Sequence, residues 1–290
     1  MRVAVIDIGT NTTRLLVAER SDHGEVEELD RRTTITTLGE GVDTTGRLAD
    51  AAMARVTDAV AEYREAIDTL GADQVVAVAT SAMRDAENGR AFRDLLNDRF
   101  GVDARTISGD EEARLTFLGA TAGRADGAET VVIDIGGGST EYVAGRPGSD
   151  PGFHTSTQMG SVRHTERFLH SNPPTRRELD ELAADVRATV PRVEVERGIA
   201  VAGTATSLAA IDGAAEPHGY VLSLEACERV TAMLAAMTVD ERRSVKGLHP
   251  DRAPTIVAGG TILTESLRVL GLPEVEVSER DILHGSAATA

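Results

Sequence analysis

Two acidic residues stand at the same place in two copies of one short pattern, Ile6-Asp7-Ile8-Gly9 and Ile133-Asp134-Ile135-Gly136. An apolar strand ending in Asp and then Gly puts a carboxylate at the strand's tip. The glycine lets the backbone turn so that its N–H groups aim at a bound anion. The loops that follow, Thr10-Asn11-Thr12-Thr13 and Gly137-Gly138-Ser139-Thr140, are too small and polar to be core. Opposed across a cleft, two such loops suit a phosphate and a divalent metal held between them. Asp134 and Glu141 flank the second loop and offer the hard oxygens that Mg²⁺ requires, directly or through water, and the repeat extends a metal role to Asp7. Gly136-Gly137-Gly138-Ser139 lacks the Gly-Lys-Ser/Thr ending of a P-loop. The residues after it alternate like a strand, so the expectation is a phosphate-binding hairpin.

Charge and composition narrow the chemistry. The 290 residues carry a formal charge of −17, against the basic face that duplex nucleic acid needs, so no nucleic-acid partner is expected. A phosphate ligand in so acidic a chain needs metal ions and a few placed arginines to reverse the local field. Lysine occurs once, at Lys246, and arginine supplies the other cations, which suits bidentate phosphate contacts. Hydrophobic content of 41% with 27% charged residues fits a soluble globular protein. No stretch approaches the roughly 20 apolar residues of a membrane span, and the opening residues run straight into the first motif, leaving no room for a signal peptide; a cytoplasmic address is expected. The single cysteine, Cys227, can form neither an internal disulfide nor a multi-cysteine metal site and reads as a small buried hydrophobe.

The elements that must position these residues follow from periodicity and punctuation. Residues 2–8, 14–20 and 25–32 read as a meander of strands, and 50–70 as a helix stopped at Gly71. A strand at 74–79, a helix at 89–99, a strand at 102–107 and a helix at 110–123 with Ser108 as its N-cap complete the first half. The pattern restarts with strands at 130–135, 139–145 and 153–158 and helices at 160–169 and 175–190. A long helix at 250–270 and a last helix at 279–288 follow. Similar order after the same tetrapeptide implies duplicated α/β domains around a cleft. A boundary at Arg124-Ala125-Asp126-Gly127 gives domains 1–124 and 125–290, with the last helix free to pack back on the first domain.

The motifs, taken in order, carry a resemblance. Asp7 through Leu15, Ala79-Thr80-Ser81-Ala82-Met83-Arg84, Ser108-Gly109-Asp110-Glu111-Glu112-Ala113-Arg114-Leu115 and Asp134 through Glu141 resemble the exopolyphosphatase and guanosine pentaphosphate phosphohydrolase (Ppx/GppA) family. So do Gly160-Ser161-Val162-Arg163, Ala202 through Leu208 and Ala258-Gly259-Gly260, so that the likeness covers essentially the whole chain. The resemblance implies two ribonuclease H-like domains of the actin-like ATPase (sugar kinase/actin/heat-shock chaperone) superfamily, with the site in an interdomain cleft. It implies hydrolysis of a terminal phosphoanhydride with Mg²⁺ or Mn²⁺. Inorganic polyphosphate is the leading substrate, guanosine pentaphosphate (pppGpp) the alternative, and non-catalytic sensing of polyphosphate or (p)ppGpp a second alternative.

Residue by residue, the resemblance makes Glu112 the base for the attacking water and Asp134 and Glu141 holders of the metal or its water shell, faced by Asp7. Backbone N–H groups of Gly9, Thr10, Asn11 and Thr12 and of Gly136, Gly137, Gly138 and Ser139 would cradle phosphate oxygens. Arg84 resembles a phosphate ligand, the Gly203-Thr204 turn a third phosphate contact, and Arg14 a weaker candidate. Three positions depart from the family pattern: His164 stands where an apolar residue is usual, Pro254 interrupts a segment usually reading Arg-Ala-Asp, and Leu283 stands where Arg is frequent. The last removes an expected cation from the far side of the cleft. The chain also stops where longer relatives add a helical extension, which with its few cations suggests short-chain substrates. The mixed-sign surface permits a homodimer.

Overall fold

The computed structural model describes residues 1–21, 23–124 and 127–290. The chain forms two compact units, one of Met1–Gly119 with Asp281–Ala290 and the other of Ala120–Arg280. The first unit is therefore discontinuous in sequence. The division falls at residues 119 and 120, and of the expected boundary segment, Ala125 and Asp126 lie outside the described residues.

In unit 1 the chain runs β1 (Arg2–Ile8), β2 (Thr12–Arg20), β3 (Val26–Ile35), α1 (Val42–Thr45), α2 (Asp50–Leu70), β4 (Gln74–Ala79), α3 (Ser81–Asp85), α4 (Gly89–Phe100), β5 (Ala104–Thr106) and α5 (Gly109–Thr121). The sheet order is β3-β2-β1-β4-β5, with the β1–β2–β3 meander antiparallel and β4 and β5 added in parallel. Side chains alternate across a strand, so β1 feeds two cores. Ala4, Ile6 and Ile8 pack with residues of α2 and α4, whereas Val3 and Val5 pack with Leu283 and Ala287. Asp7 falls on the second face, the one that the C-terminal helix covers.

Unit 2 holds β6 (Thr130–Ile135), β7 (Thr140–Gly145), β8 (Phe153–Thr157), α6 (Ser161–Phe168), α7 (Arg176–Thr189), β9 (Arg197–Val201), α8 (Ala202–Asp212), β10 (Val221–Ser223), α9 (Leu224–Ala235), α10 (Val239–Arg242), α11 (Ile256–Leu270) and β11 (Glu274–Val277). Its sheet order is β10-β11-β9-β6-β7-β8. Val131, Ile133, Ile135, Tyr142 and Ala144 point into a core shared with α7, α8, α9 and α11. The last helix, α12 (Ile282–Thr289), belongs to unit 1. Among the described residues no helix is long and apolar enough to cross a membrane.

Several expectations meet a different arrangement. The segment 250–270 is a 3₁₀ turn, Pro250–Arg252, followed by α11 from Ile256. Proline lacks the N–H that a helix interior needs, so Pro250 opens the turn and Pro254 precedes the helix without breaking it. Leu283 is fully buried among Val3, Val5, Leu16 and Ala18, so it is a core residue of unit 1 and does not stand in for a missing surface cation. His164 is buried and satisfied: its Nδ1 accepts the Gly160 N–H at 3.4 Å and its Nε2 lies 3.1 Å from Asp185 Oδ2. Cys227 is fully buried, and burial pushes its thiol up to about 12, as suits a core residue with no acid–base role.

Candidate active site

The two repeated hairpins are built alike. Gly9 N–H donates to Thr12 O at 2.9 Å, and Gly136 N–H to Ser139 O at 3.0 Å. A Cβ at either glycine would press on the carbonyl it bonds, at 2.9 Å in the first and 3.2 Å in the second. What distinguishes these loops from ordinary turns is where their carbonyls go. Thr10 O accepts from Gly39 N–H at 2.8 Å, and Asn11 O from the N–H groups of Thr36 and Thr37 at 3.0 and 2.9 Å. In unit 2, Gly136 O accepts from Ser161 N–H at 2.9 Å and Gly137 O from Val162 N–H at 2.9 Å, at the first turn of α6. Gly138 O accepts from Arg163 Nε at 2.7 Å.

Each loop is thus tied to the body of its unit by its carbonyls, which turns the N–H groups of Thr10, Asn11, Gly137, Gly138 and Ser139 the other way. Among the described residues those N–H groups donate to nothing. Backbone donors without an internal acceptor are of the kind that suits an anion. Close approach enforces the arrangement: a Cβ at Gly160 would lie 2.3 Å from Gly137 O, and one at Gly39 would lie 2.2 Å from Thr10 Cγ2.

The residues flanking the hairpins differ in charge. In unit 1 Asp7 pairs in register with Arg14, and in unit 2 Asp134 pairs with Glu141. Asp7 is 3% exposed, and its Oδ2 takes both Arg14 Nε, at 3.0 Å, and Nη2, at 2.7 Å. Its Oδ1 is buried without a partner among the described residues. Burial pushes the Asp7 carboxyl above its ordinary range, against the pull of Arg14, and neighbouring Asp281 adds to the rise. Arg14 Nη1 bonds Asp281, a contact that sequence reasoning missed. Burial also opposes ionisation of Asp281, but Arg14, Arg31, His284 and the Leu283 N–H outweigh it and hold this carboxyl low.

Asp134 is 8% and Glu141 1% exposed, and Glu141 Oε1 accepts from Ser156 Oγ at 2.7 Å. Ser156 is the register partner of Glu141 on β8, so Asp134, Glu141 and Ser156 form one row across three strands.

Glu112 sits in the first turn of α5, where Ser108 Oγ accepts the Glu111 N–H at 3.1 Å, as an N-cap does. The two neighbouring glutamates part company there. Glu111 faces outward to Arg105 at 2.6 Å, whereas Glu112 is 8% exposed with Oε2 3.5 Å from Arg84 Nη1. Arg84 also donates to Ile107 O at 3.0 Å. The hairpin reaches the same region through Thr10 Oγ1, which accepts the Ala82 N–H at 3.2 Å, two residues before Arg84. Unit 1 therefore brings Gly9, Thr10, Asn11 and Thr12 onto α3, and α3 onto Glu112.

Gly203 and Thr204 begin α8, directly after the strand that lies beside β6, with Val201 in register with Asp134. Ala202 enters the helix at a φ of 64°, a left-handed conformation unusual for a residue with a side chain. A Cβ at Gly203 would fall about 2 Å from the Arg252 guanidinium, with contacts at 1.9, 2.0 and 2.1 Å. The glycine is there because an arginine lies over the turn, and that arginine was not singled out in the sequence.

Each unit, taken by itself, offers oxygens of the kind a hard cation takes. Asp134 and Glu141 are paired carboxylates with no arginine at the opposing register position, and Asp7 Oδ1 is a buried oxygen lacking a partner. Among the described residues no group of three or more His, Cys, Asp or Glu side chains could hold an ion by itself. Mg²⁺ commonly takes one or two carboxylates, with water and substrate phosphates filling the rest.

The chain is similar to known proteins along most of its length. The profile described as the Ppx/GppA phosphatase family matches residues 16–288. The chain is 39% identical to exopolyphosphatase 2 of Mycobacterium tuberculosis, over 99% of this chain and 97% of that protein. It is 30% identical to exopolyphosphatase 1 of Mycobacterium bovis, over 96% and 84%. Among solved structures, an exopolyphosphatase-like protein superposes with a TM-score of 0.91 at 35% identity, covering 99% of this chain and 97% of that one. The Aquifex aeolicus PPX-GPPA enzyme superposes with a TM-score of 0.84 at 30% identity, covering 100% and 99%.

Proposed function

Because the chain belongs to the Ppx/GppA phosphatase family, we propose that it is a metal-dependent exopolyphosphatase that removes the terminal phosphoryl group of inorganic polyphosphate as orthophosphate. The observation that carries this reading is the pair of hairpins whose Thr10, Asn11, Gly136, Gly137 and Gly138 carbonyls are tied back, leaving the N–H groups of Thr10, Asn11, Gly137, Gly138 and Ser139 for phosphate oxygens.

In this reading the N–H groups of Thr10 and Asn11 and of Gly137, Gly138 and Ser139 hold the phosphoryl oxygens, and the Gly203-Thr204 turn binds a further phosphate. Contrary to the expectation from sequence, the N–H groups of Gly9 and Gly136 are spent closing the hairpins on Thr12 O and Ser139 O. Glu112 accepts a proton from the attacking water, whose oxygen bonds to the terminal phosphorus as the bridging P–O bond breaks and the shortened chain departs. Arg84 steadies Glu112 through Nη1 and offers its charge to the same phosphate. Asp134 and Glu141 in unit 2 would hold Mg²⁺ or Mn²⁺, which when bound neutralises the charge of the phosphoryl group, and Asp7 Oδ1 in unit 1 is a further candidate oxygen for a divalent cation. Ser156 fixes Glu141 for that task.

The test is orthophosphate release with Mg²⁺ from polyphosphate and, in parallel, from guanosine pentaphosphate. Faster turnover of polyphosphate, lowered about 10²- to 10⁴-fold in Glu112→Gln with polyphosphate still bound, supports the proposal. Faster turnover of guanosine pentaphosphate would move the assignment to that substrate. Tight binding of either without release would mean a sensor.

A further inference from the structure

An arginine opposite a carboxylate ordinarily closes two parallel N–H···O bonds, one to each oxygen. Arg14 does not. Its Nε and Nη2 both fall on Asp7 Oδ2, leaving Oδ1 bare, while Nη1 reaches Asp281 Oδ2. We propose that Asp281 is a positioning residue: by holding Arg14 Nη1 it keeps the guanidinium off Asp7 Oδ1, reserving that oxygen for a divalent cation. The proposal rests on the metal-dependent reading above.

Asp281 is well placed to act as a fixed stop. It is 1% exposed, and its other oxygen, Oδ1, accepts the Leu283 N–H at 3.0 Å, so both oxygens are committed. The helix it caps is pinned in turn. Leu283 and Ala287 sit in the core with Val3, Val5, Leu16 and Ala18, and Arg20 Nη1 donates to Ala290 O at 2.7 Å. Two glycines remove any slack between α5 and α12. A Cβ at Gly119 would lie 1.9 Å from Asp281 O, and one at Gly285 would lie 1.9 Å from Leu115 O. The same crossing therefore seats the helix that carries Glu112.

The hydrogen bonds point the same way. Two carboxylates share the Arg14 guanidinium, and Arg31 and His284 also act on the charge of Asp281. Every oxygen except Asp7 Oδ1 already accepts a hydrogen bond. Asp7 Oδ1 is thus the one oxygen of the two carboxylates left without a partner among the described residues, and it is buried.

A plain structural role, capping α12, is separated from the positioning role by Asp281→Ser. Serine caps a helix about as well as aspartate but cannot reach Arg14 as the carboxylate does. The measurement is Mn²⁺ binding followed by electron paramagnetic resonance on the full chain, with phosphate release from polyphosphate at saturating Mg²⁺ alongside. The expected result is at least tenfold weaker Mn²⁺ binding in Asp281→Ser, with the polyphosphate KM at saturating metal changed less than twofold. Asp281→Asn, whose amide oxygen still accepts from Nη1, should stay within about threefold of the parent. Adding Arg14→Met to Asp281→Ser should restore Mn²⁺ binding, because nothing is left to cover Oδ1. Unchanged Mn²⁺ binding in Asp281→Ser, or no restoration in the double variant, overturns the inference while leaving the phosphohydrolase reading intact. A parent chain that neither binds Mn²⁺ nor releases phosphate overturns both.

Discussion

Asp134 faces Glu141 across β6 and β7 at the register position where, in the other hairpin, Asp7 faces Arg14. At that position one hairpin sets an acid opposite a base and the other sets two acids opposite one another. Like charges directly opposite one another on a strand pair cost stability. Keeping two carboxylates there, both buried, makes sense if a cation arrives with the substrate.

Replacing Glu141 by Gln should therefore stabilise the metal-free protein by about 0.2–1 kcal/mol, the range for such a cross-strand pair. The same change should raise the Mg²⁺ concentration for half-maximal phosphate release at least tenfold. Thermal unfolding in chelator and a Mg²⁺ titration of activity check the two halves. A drop in both stability and metal dependence would show that Glu141 serves the sheet instead.

Asp7→Asn removes a buried carboxylate that burial opposes and leaves Arg14 bound to Asp281. The variant should unfold at a temperature no lower than that of the parent, yet release phosphate at least 100-fold more slowly. Such opposition between stability and activity marks a functional carboxylate. Loss of both together would identify Asp7 as a structural partner of Arg14.

Gly160→Ala tests the tied-back loop. Its Cβ would have to displace Gly137 O from 2.3 Å, so either the loop or the start of α6 must shift. Overpacking of this kind costs about 1–3 kcal/mol. The larger effect should be on polyphosphate KM, because the N–H groups of Gly137 and Gly138 are re-aimed. An unchanged KM would remove this hairpin from the phosphate cradle.

The capping box of α7 supplies a pH prediction away from the site. Glu178 accepts N–H bonds from Thr175 foremost, and also from His170 and Ser171, and its carboxyl is held down at about 2. A folded value below the unfolded one means that the contribution is complete above the ordinary glutamate range and disappears as pH falls toward 2. Glu178→Gln should therefore melt below the parent at pH 7, with the difference shrinking steadily as the pH is lowered from 4.5. A constant difference would assign the effect to packing.

The hairpins were legible because their chemistry is local: Asp7 to Arg14 and Asp134 to Glu141 are each eight residues long, and small loop residues between apolar runs leave few alternatives. The helix over Asp50–Leu70 declares itself by periodicity and its closing glycine. The segment around β9 and α8 does not. Val201 passes straight into Ala202 with no turn residue between strand and helix, and the bend is made by a strained alanine that a sequence scan has no reason to notice. Asp281 was invisible for another reason: its partner is 267 residues away, and a lone aspartate before an apolar run looks like a helix cap, which it also is. Leu283 was misjudged because a family pattern carries residue types without saying which way they point.

The discontinuity of unit 1 governs how the molecule comes into being. A ribosome must deliver all of residues 120–280 before the helix that covers one face of the first sheet is made. Until then the nascent chain presents Val3, Val5, Leu16 and Ala18 as an uncovered oily surface, with Arg14 deprived of its second counter-ion. Translation order thus delays maturation of the amino-terminal half until after the later-encoded half has been synthesised.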